Sequence, residues 1–234
     1  MSVIHHPNLV TDGLVACWDA GNRKSYPGAG TTWTDVAGGN NGTVENDASF
    51  DSDNMGSLDF DGTDAYVTVP YKAGFDVVAV TLLAWVNIDG DNSGYDDIFR
   101  KNYDISGAHF SHSYGAQITP AGRFHFNIRV SSGTSALDSS LDVSDATWTF
   151  LGGTYDGTTI RSYKNNEVGS TSTSVSGDLV ADTENALIAS TQRTNEDARP
   201  EYKGKIALIQ IYNRALTAAE VLQNYDAMRY RFNL

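Results

Sequence analysis

Residues 112–130 read HSYGAQITPAGRFHFNIRV, two alternating apolar runs joined by a Pro-Ala-Gly turn. Pro120 presets the backbone φ angle for a type I turn, and Gly122 can take the left-handed position that follows it. This geometry predicts a three-residue loop in which Thr119 pairs with Arg123. The stretch is therefore predicted to be a β-hairpin, and it decides the fold class.

The register of this hairpin follows from its apolar residues. With a three-residue loop, every apolar side chain falls on one face, whereas a two-residue loop would divide them between both faces. The predicted pairs are Ala116 with Phe126, Tyr114 with Ile128 and His112 with Val130. The opposite face then carries a polar stripe made of Ser111, Ser113, Gln117, Arg123, His125, Asn127 and Arg129.

Short apolar runs separated by Gly, Asn, Asp and Ser clusters continue along the chain, which predicts an all-β sandwich and not alternating strand and helix units. We expect one domain over residues 13–234, preceded by an N-terminal arm over residues 1–12. The predicted strands cover residues 13–19, 57–60, 66–69, 80–88, 108–118, 124–130, 147–154, 160–164, 186–189 and 205–212.

Local sequence signals predict two turns and one helix. Asp156-Gly157 and Asn165-Asn166 each predict a two-residue hairpin turn, because Gly and Asn tolerate positive φ. Thr217 and Glu220 have the spacing of a capping box, which predicts a helix over about residues 218–228. Its apolar residues recur at helical spacing and should dock on the sandwich.

The composition excludes several classes of function. The formal net charge is −13, which opposes binding to nucleic acids and to anionic membranes. Cys17 is the only cysteine, so no intrachain disulfide can form, and a buried thiol is expected. The N-terminus lacks the pattern of a secretory signal, and no apolar run is long enough for a membrane span, so folding in a reducing cytosol is expected.

Several motifs together resemble the laminin G-like branch of the concanavalin A-like lectin and glucanase superfamily. They are SLDFDG at residues 57–62 with Tyr66-Val67, VTLLAWV at 80–86, TWTF at 147–150 with YDG at 155–157, and GKIALIQIYNRAL at 204–216. The resemblance covers roughly residues 13–226. It implies a concanavalin A-like jelly-roll fold.

The two ends carry a narrower resemblance. LVTDGLV at residues 9–15, DAGNRKSYPG at 19–28 and EVLQNY at 220–225 are similar to laminin G-like structural proteins of tailed bacteriophages. This resemblance implies a virion surface protein, a capsid decoration or a tail-associated module, that is assembled in the host cytoplasm. Its expected partners are other virion proteins and, in addition, a host-surface glycan.

No catalytic, metal or cofactor site is predicted. Many relatives bind a structural calcium ion, but Ala65 and Ala207 stand where the family pattern has aspartates, although Asp59, Asp61 and Asp64 lie nearby. Glycoside hydrolysis needs two positioned carboxylates, and no Glu-x-Asp-x-x-Glu strand is present. The acidic run at 196–201 contains Pro200 and is interpreted as a loop. His109, His112 and His125 do not converge in the predicted register.

Glycan binding stays open. Sugars are held by aromatic faces and a few fixed hydrogen-bonding groups. The candidate residues are Arg123, His125, Asn127 and Arg129 on the polar stripe, and Tyr95, Tyr103, Trp33 and Tyr26 on loops. Alternatively, the stripe is a solvated face and the aromatic residues belong to the core or to subunit contacts. A glycan depolymerase and a cellular lectin are the rival functions.

Overall fold

A computed structural model describes residues 7–46, 48–90, 94–102, 112–181, 183–192, 198–200 and 202–234. Eighteen strands form among these residues, so the all-β prediction is confirmed. The strands are β1 Leu14–Asp19, β2 Thr32–Trp33, β3 Gly42–Glu45, β4 Ser49–Asp51, β5 Ser57–Asp61, β6 Tyr66–Val69, β7 Val80–Ile88, β8 Asp96–Asn102, β9 His112–Ile118, β10 Arg123–Val130, β11 Gly133–Asp142, β12 Thr149–Tyr155, β13 Ile160–Lys164, β14 Glu167–Ser172, β15 Ala186–Ile188, β16 Ser190–Gln192, β17 Ala198–Pro200 and β18 Lys203–Tyr212.

Two antiparallel sheets make the sandwich. The first sheet has the order β14-β13-β12-β7-β18-β5-β4, and β1 pairs with the far half of β18. The second sheet has the order β11-β10-β9-β8-β15-β6-β3-β2. β16 and β17 form a separate two-stranded ribbon. Non-consecutive strands are neighbours in the middle of each sheet, at β12-β7-β18-β5 in the first and at β8-β15-β6-β3 in the second, as expected of a jelly roll.

The predicted hairpin register is confirmed. Phe126 pairs with Ala116 and Ile128 pairs with Tyr114 across β9 and β10. The Thr119 N–H donates to the Arg123 carbonyl over 2.9 Å. Gly122 has a φ of 70°, the left-handed value that the three-residue loop requires.

The main core fills the space between the sheets. β9 and β10 contribute alternate apolar residues to it, and β7, β12 and β18 contribute the facing side chains. Gly153 on β12 leaves room for the ring of Phe126, because a Cβ built on this glycine would lie 2.2 Å from that ring. Trp18 packs against Phe75 and Phe99 with ring centroids 6.1 and 6.2 Å apart. Facing sheets of this kind are held mainly by the burial of apolar area.

A second apolar layer lies on the other face of the first sheet. Helix α1, Ala218–Met228, and the 3-10 helix Arg229–Phe232 pack there; two more 3-10 turns lie at Asp53–Met55 and Ala73–Phe75. The Trp85 ring stacks on Phe232 with centroids 4.2 Å apart and on Tyr225 at 5.7 Å. The first sheet is therefore covered on both faces.

Helix α1 confirms the helix prediction. The Thr217 hydroxyl accepts from the Glu220 N–H over 3.3 Å, and the Glu220 carboxylate accepts from the Thr217 N–H over 2.8 Å. This reciprocal pair is the capping box. No helix among the described residues is long and apolar enough to cross a membrane.

The N-terminal segment is docked on this helix from Asn8 onward. The Val10 N–H donates to Asn224 Oδ1 over 2.8 Å, and the Tyr212 hydroxyl donates to the Val10 carbonyl over 2.9 Å. Gln223 Nε2 donates to the Asn8 carbonyl over 2.7 Å. Within the segment predicted as an arm, residues 8–12 are thus part of the folded domain.

Candidate functional site

Polar side chains meet on the face of the second sheet that is turned away from the core, here called the outer face. Arg100 on β8 lies beside Gly115 on β9, which in turn lies beside Asn127 on β10. Arg100 Nε donates to Asp97 Oδ1 over 3.0 Å, and Asn127 Nδ2 donates to Gln117 Oε1 over 2.7 Å. Gln117 Nε2 reaches Asp97 Oδ1 over 3.4 Å, which joins the two pairs. The four side chains therefore form one network across three strands.

This network is buried, but two of its acceptor atoms have no hydrogen-bond donor. Asp97, Arg100 and Asn127 are 1%, 2% and 2% exposed. Asp97 Oδ2 and Asn127 Oδ1 are both buried and accept no hydrogen bond. Buried polar atoms in folded proteins almost always have a partner, so two open acceptors in one network require an explanation. Both atoms are hydrogen-bond acceptors for which the protein supplies no donor.

Gly115 shapes the centre of the network. A Cβ built on Gly115 would lie 2.9 Å from Asn127 Oδ1 and 3.2 Å from the Phe99 carbonyl. Any other residue would press on the open acceptor. The glycine therefore keeps the Asn127 carbonyl oxygen clear of a side chain from β9.

Beside the network, a second group of residues lies nearer the surface. His125 Nδ1 pairs with Asp138 Oδ1 on β11. The Tyr95 ring meets the His125 ring edge-on, with centroids 5.8 Å apart, and Tyr95 is 44% exposed. Arg123 is exposed and reaches Asp142 over 3.4 Å. An exposed aromatic ring beside hydrogen-bonding groups is the combination that holds a sugar.

The structure brings some predicted site residues together and separates others. His125, Asn127, Arg123 and Tyr95 lie on one side of the sheet, and Arg129 is on the same strand face, half-buried. Tyr103 and His109 lie outside the described residues, as do positions 196, 197 and 201 of the acidic run. The rest of that run, which was interpreted as a loop, forms the short strand β17 and pairs with β16.

Trp33 corrects the sequence-based expectation. We expected this tryptophan on a loop, but it belongs to β2 and is 0% exposed in the main core. A ligand has no access to either face of its ring. The error arises because a two-residue strand carries almost no periodicity signal.

Tyr26 lies in a different place from the other candidates. It is 3% exposed, and its hydroxyl donates to the Gly30 carbonyl over 2.7 Å. The ring lines a cavity near the edge of the sandwich. It cannot contact the same sugar ring as the outer-face network, because Tyr26 packs with Phe50 of the first sheet.

The positions considered for calcium are in apolar surroundings or carry hydrogen bonds already. Ala65 lies in the main core, whereas Ala207 lies in the layer under helix α1. Asp61 accepts from the N–H groups of Thr63 and Asp64 over 2.8 and 3.2 Å, and these bonds hold the pKa of its carboxyl below the ordinary value. Within the described ranges, no group of three His, Cys, Asp or Glu side chains is placed to hold a metal ion.

Sequence reasoning missed Asp97 and Arg100. No strand was predicted over residues 96–102, because Asp-Asp and Arg-Lys flank only two apolar residues there. A bulge between Asp97 and Phe99 lets both Ile98 and Phe99 be fully buried. Such a bulge breaks the strict alternation on which the search for strands depends.

Comparisons with known proteins identify the fold independently. Residues 61–222 match the family model described as concanavalin A-like lectin/glucanases superfamily. No curated protein sequence matches the chain.

Solved structures are similar in fold at low sequence identity. Domain 4 of AbnA, a GH43 extracellular arabinanase from Geobacillus stearothermophilus, in complex with arabinotriose, has a TM-score of 0.66 at 15% identity; the match covers 92% of this chain and 100% of that one. The binding domain of Paraclostridial Mosquitocidal Protein 1 has a TM-score of 0.68 at 13% identity, with 91% and 52% covered. Trypanosoma rangeli sialidase in complex with the inhibitor DANA has a TM-score of 0.66 at 16% identity, with 93% of this chain covered. The chain spans only 33% of the sialidase.

Proposed function

Since this chain belongs to the concanavalin A-like lectin/glucanases superfamily, we propose that it is a non-catalytic binding protein that holds a glycan at the outer face of its second sheet. The observation that carries this proposal is the exposed Tyr95 ring, which meets the His125 ring beside a buried network whose acceptors Asp97 Oδ2 and Asn127 Oδ1 have no donor. An exposed aromatic ring can stack on a sugar face, and the polar side chains beside it, His125 and Arg123, can hydrogen-bond to the sugar hydroxyls.

The non-catalytic part of the proposal rests on how the carboxylates are used. Asp97 Oδ1 accepts from Arg100 and Gln117, so the group is fixed as an acceptor and paired with a cation. Asp138 pairs with His125. Glycoside hydrolysis needs one carboxyl that donates a proton and a second that acts as base or nucleophile. Both aspartates are instead engaged with side chains of the protein itself.

A glycan-binding assay on the full chain tests the proposal. The probes are arabinotriose, a sialyllactose and a panel of neutral plant and bacterial oligosaccharides, with binding measured by calorimetry and products by chromatography. Tyr95→Ala should weaken binding at least tenfold while the fold is retained, since Tyr95 is largely exposed. Thr43→Ala, at an exposed threonine on the same sheet, is the matched control. Binding unaffected by Tyr95→Ala and Asn127→Ala, or turnover of any probe, would overturn it.

A virion surface is our proposed setting for this binding. The support is the resemblance of the two ends to phage structural proteins, together with the packing of those ends as one unit. Asn224 Oδ1 accepts from Val10, and Asn224 Nδ2 donates to the Tyr212 hydroxyl over 2.9 Å. The motifs at residues 9–15 and 220–225 therefore pack as one unit, and in this proposal their exposed residues, Thr11, Asp12 and Leu222, contact a neighbouring virion subunit.

Mass spectrometry of purified virus particles, including the copy number of this protein per particle, tests the proposed virion role. Copies on the order of hundreds per particle indicate capsid decoration, and a small multiple of three or six indicates the tail, because capsid and tail differ in symmetry. Absence from the particles would refute the virion role and leave the binding function intact.

A further inference from the structure

A cavity opens at the edge of the sandwich where β4 ends the first sheet and β2 and β3 end the second. Its volume is about 250 Å³. Drug-sized ligands occupy pockets of about 300–1,000 Å³, so this one suits a single ring-sized group. The lining side chains, none of them charged, are Tyr26, Ala29, Thr31, Val44, Ala48 and Phe50.

Two aromatic rings form one side of the cavity. The Tyr26 and Phe50 centroids lie 5.7 Å apart and their planes are inclined by 37°. The bond from the Tyr26 hydroxyl to the Gly30 carbonyl fixes the orientation of that ring relative to the loop. Phe50 is only partly buried, so part of its ring is open to a ligand. Fixed aromatic faces attract the polarised C–H bonds of a sugar ring.

The loop over residues 28–31 supplies polar groups beside these rings. Gly28 and Gly30 have φ angles of 100° and 98°, in the region that favours glycine. None of the backbone N–H groups of residues 28–31 donates to an acceptor among the described residues. A Cβ built on Gly30 would meet nothing within 4 Å, so the space beside that backbone is open. The backbone beside the rings therefore carries amides that have no acceptor within the described residues, on a loop that lines the cavity.

We propose that this cavity is a second binding site, which holds one neutral sugar ring. The open part of the Phe50 ring takes the apolar face of the sugar, with the buried Tyr26 ring behind it, and the loop amides donate to the sugar's oxygen atoms. A neutral ligand follows because the lining has no charge to neutralise a carboxylate or an amine. The site is independent of the outer-face network, with which it shares no residue.

NMR of the full chain, labelled with nitrogen-15, tests this inference. The probes are methyl β-D-glucopyranoside, methyl β-D-galactopyranoside, methyl α-L-arabinofuranoside and N-acetylglucosamine, with N-acetylneuraminic acid as the charged comparison. At least one neutral probe should shift the amide signals of residues 28–31 with a millimolar Kd. Ala29→Phe, at an exposed loop position, should fill the cavity and weaken the binding of that probe at least tenfold. Tyr95→Ala should leave these shifts unchanged, which separates this site from the outer face.

Three results would overturn the inference. The first is the absence of shifts at residues 28–31 with every neutral probe at tens of millimolar, and the second is shifts that persist in Ala29→Phe. The third is self-association in analytical ultracentrifugation that Ala29→Phe abolishes, because a side chain of a second copy would then be the occupant. Loss of glycan binding at the outer face alone would leave the inference standing.

Discussion

Arg100 and Asp97 form an ion pair on β8 that is almost completely removed from solvent. Arg100 Nε lies 3.0 Å from Asp97 Oδ1, and the two side chains are 3% and 2% exposed. The pair lies on the outer face of the second sheet and not in the apolar core. It holds the Asp97 carboxylate in place beside the proposed glycan site, where the second oxygen is buried and accepts no hydrogen bond.

Breaking this pair should strongly destabilise the fold. Asp97→Asn would remove a negative charge that pairs with the buried Arg100 guanidinium, and breaking buried pairs costs about 3–5 kcal/mol. Urea denaturation at neutral pH measures the free energy of unfolding. Asp142→Asn, which breaks the exposed pair with Arg123, is the matched control and should cost less than about 1 kcal/mol. Equal costs for the two variants would show that the buried pair has no special role.

The stability of the apolar layer under helix α1 should depend on Phe232. Its ring stacks on Trp85 at 4.2 Å and packs against Trp148 at 4.6 Å, and it is 6% exposed. Phe232→Ala should cost about 3–5 kcal/mol, as large-to-small changes in cores do. Leu222→Ala, at a helix residue 41% exposed, controls for loss of apolar surface and should cost under about 1 kcal/mol. A near-neutral Phe232→Ala in thermal melts would contradict the packing described here.

Local sequence signals predicted the parts of the fold in which one short segment contains all the determinants. The three-residue turn and the apolar alternation gave the β9–β10 register, and the Thr217–Glu220 box gave the start of helix α1. Asn165-Asn166 is the predicted two-residue turn, since Lys164 pairs with Glu167. Each of these features depends on contacts within about twenty residues.

Predictions failed where a side chain or a distant strand decides the geometry. The prediction of a two-residue turn at Asp156-Gly157 was wrong, because Tyr155 pairs with Ile160 and four residues lie between them. The Asp156 carboxylate accepts from the Thr158 and Thr159 N–H groups over 3.0 and 2.8 Å and stabilises the longer loop. The candidate site was predicted only in part for a similar reason. The β9–β10 hairpin gave Asn127, whereas Asp97 lies on β8 and joins the network only because β8 pairs with β9.

Cys17 should be unreactive in the folded protein. Burial, and then the negative charges of Asp19 and Asp35, raise the pKa of its thiol to about 12. The thiolate is the reactive form, so almost none is present at neutral pH. Ellman's reagent should modify less than one tenth of the thiol in native protein over an hour and all of it in guanidinium chloride. Rapid labelling of native protein would show that β1 opens locally.

Glu220 should make stability depend on pH in the acid range. Arg214 Nη2 and Nη1 lie 2.7 and 3.0 Å from its two oxygens, and this pairing, with the Thr217 N–H, lowers the pKa of the carboxyl from 4.5 to about 2. Because the pKa is lower in the folded state, the stabilisation is fully present above pH 4.5 and is lost as the pH falls toward 2. The two side chains are each 28% exposed, so solvent screening limits the contribution to about 1 kcal/mol.

Glu220→Gln tests this linkage by removing the charge while keeping the shape of the side chain. The variant should be about 1 kcal/mol less stable than the wild type at pH 7, and the difference should shrink toward zero as the pH approaches 2. Urea denaturation at pH 7, 4 and 2.5 measures it, and Glu167→Gln, at an exposed hairpin residue, controls for the loss of one negative charge. A difference that stays constant over this range would mean that Glu220 acts through the hydrogen bonds of the capping box, which glutamine retains in part, and not through its charge.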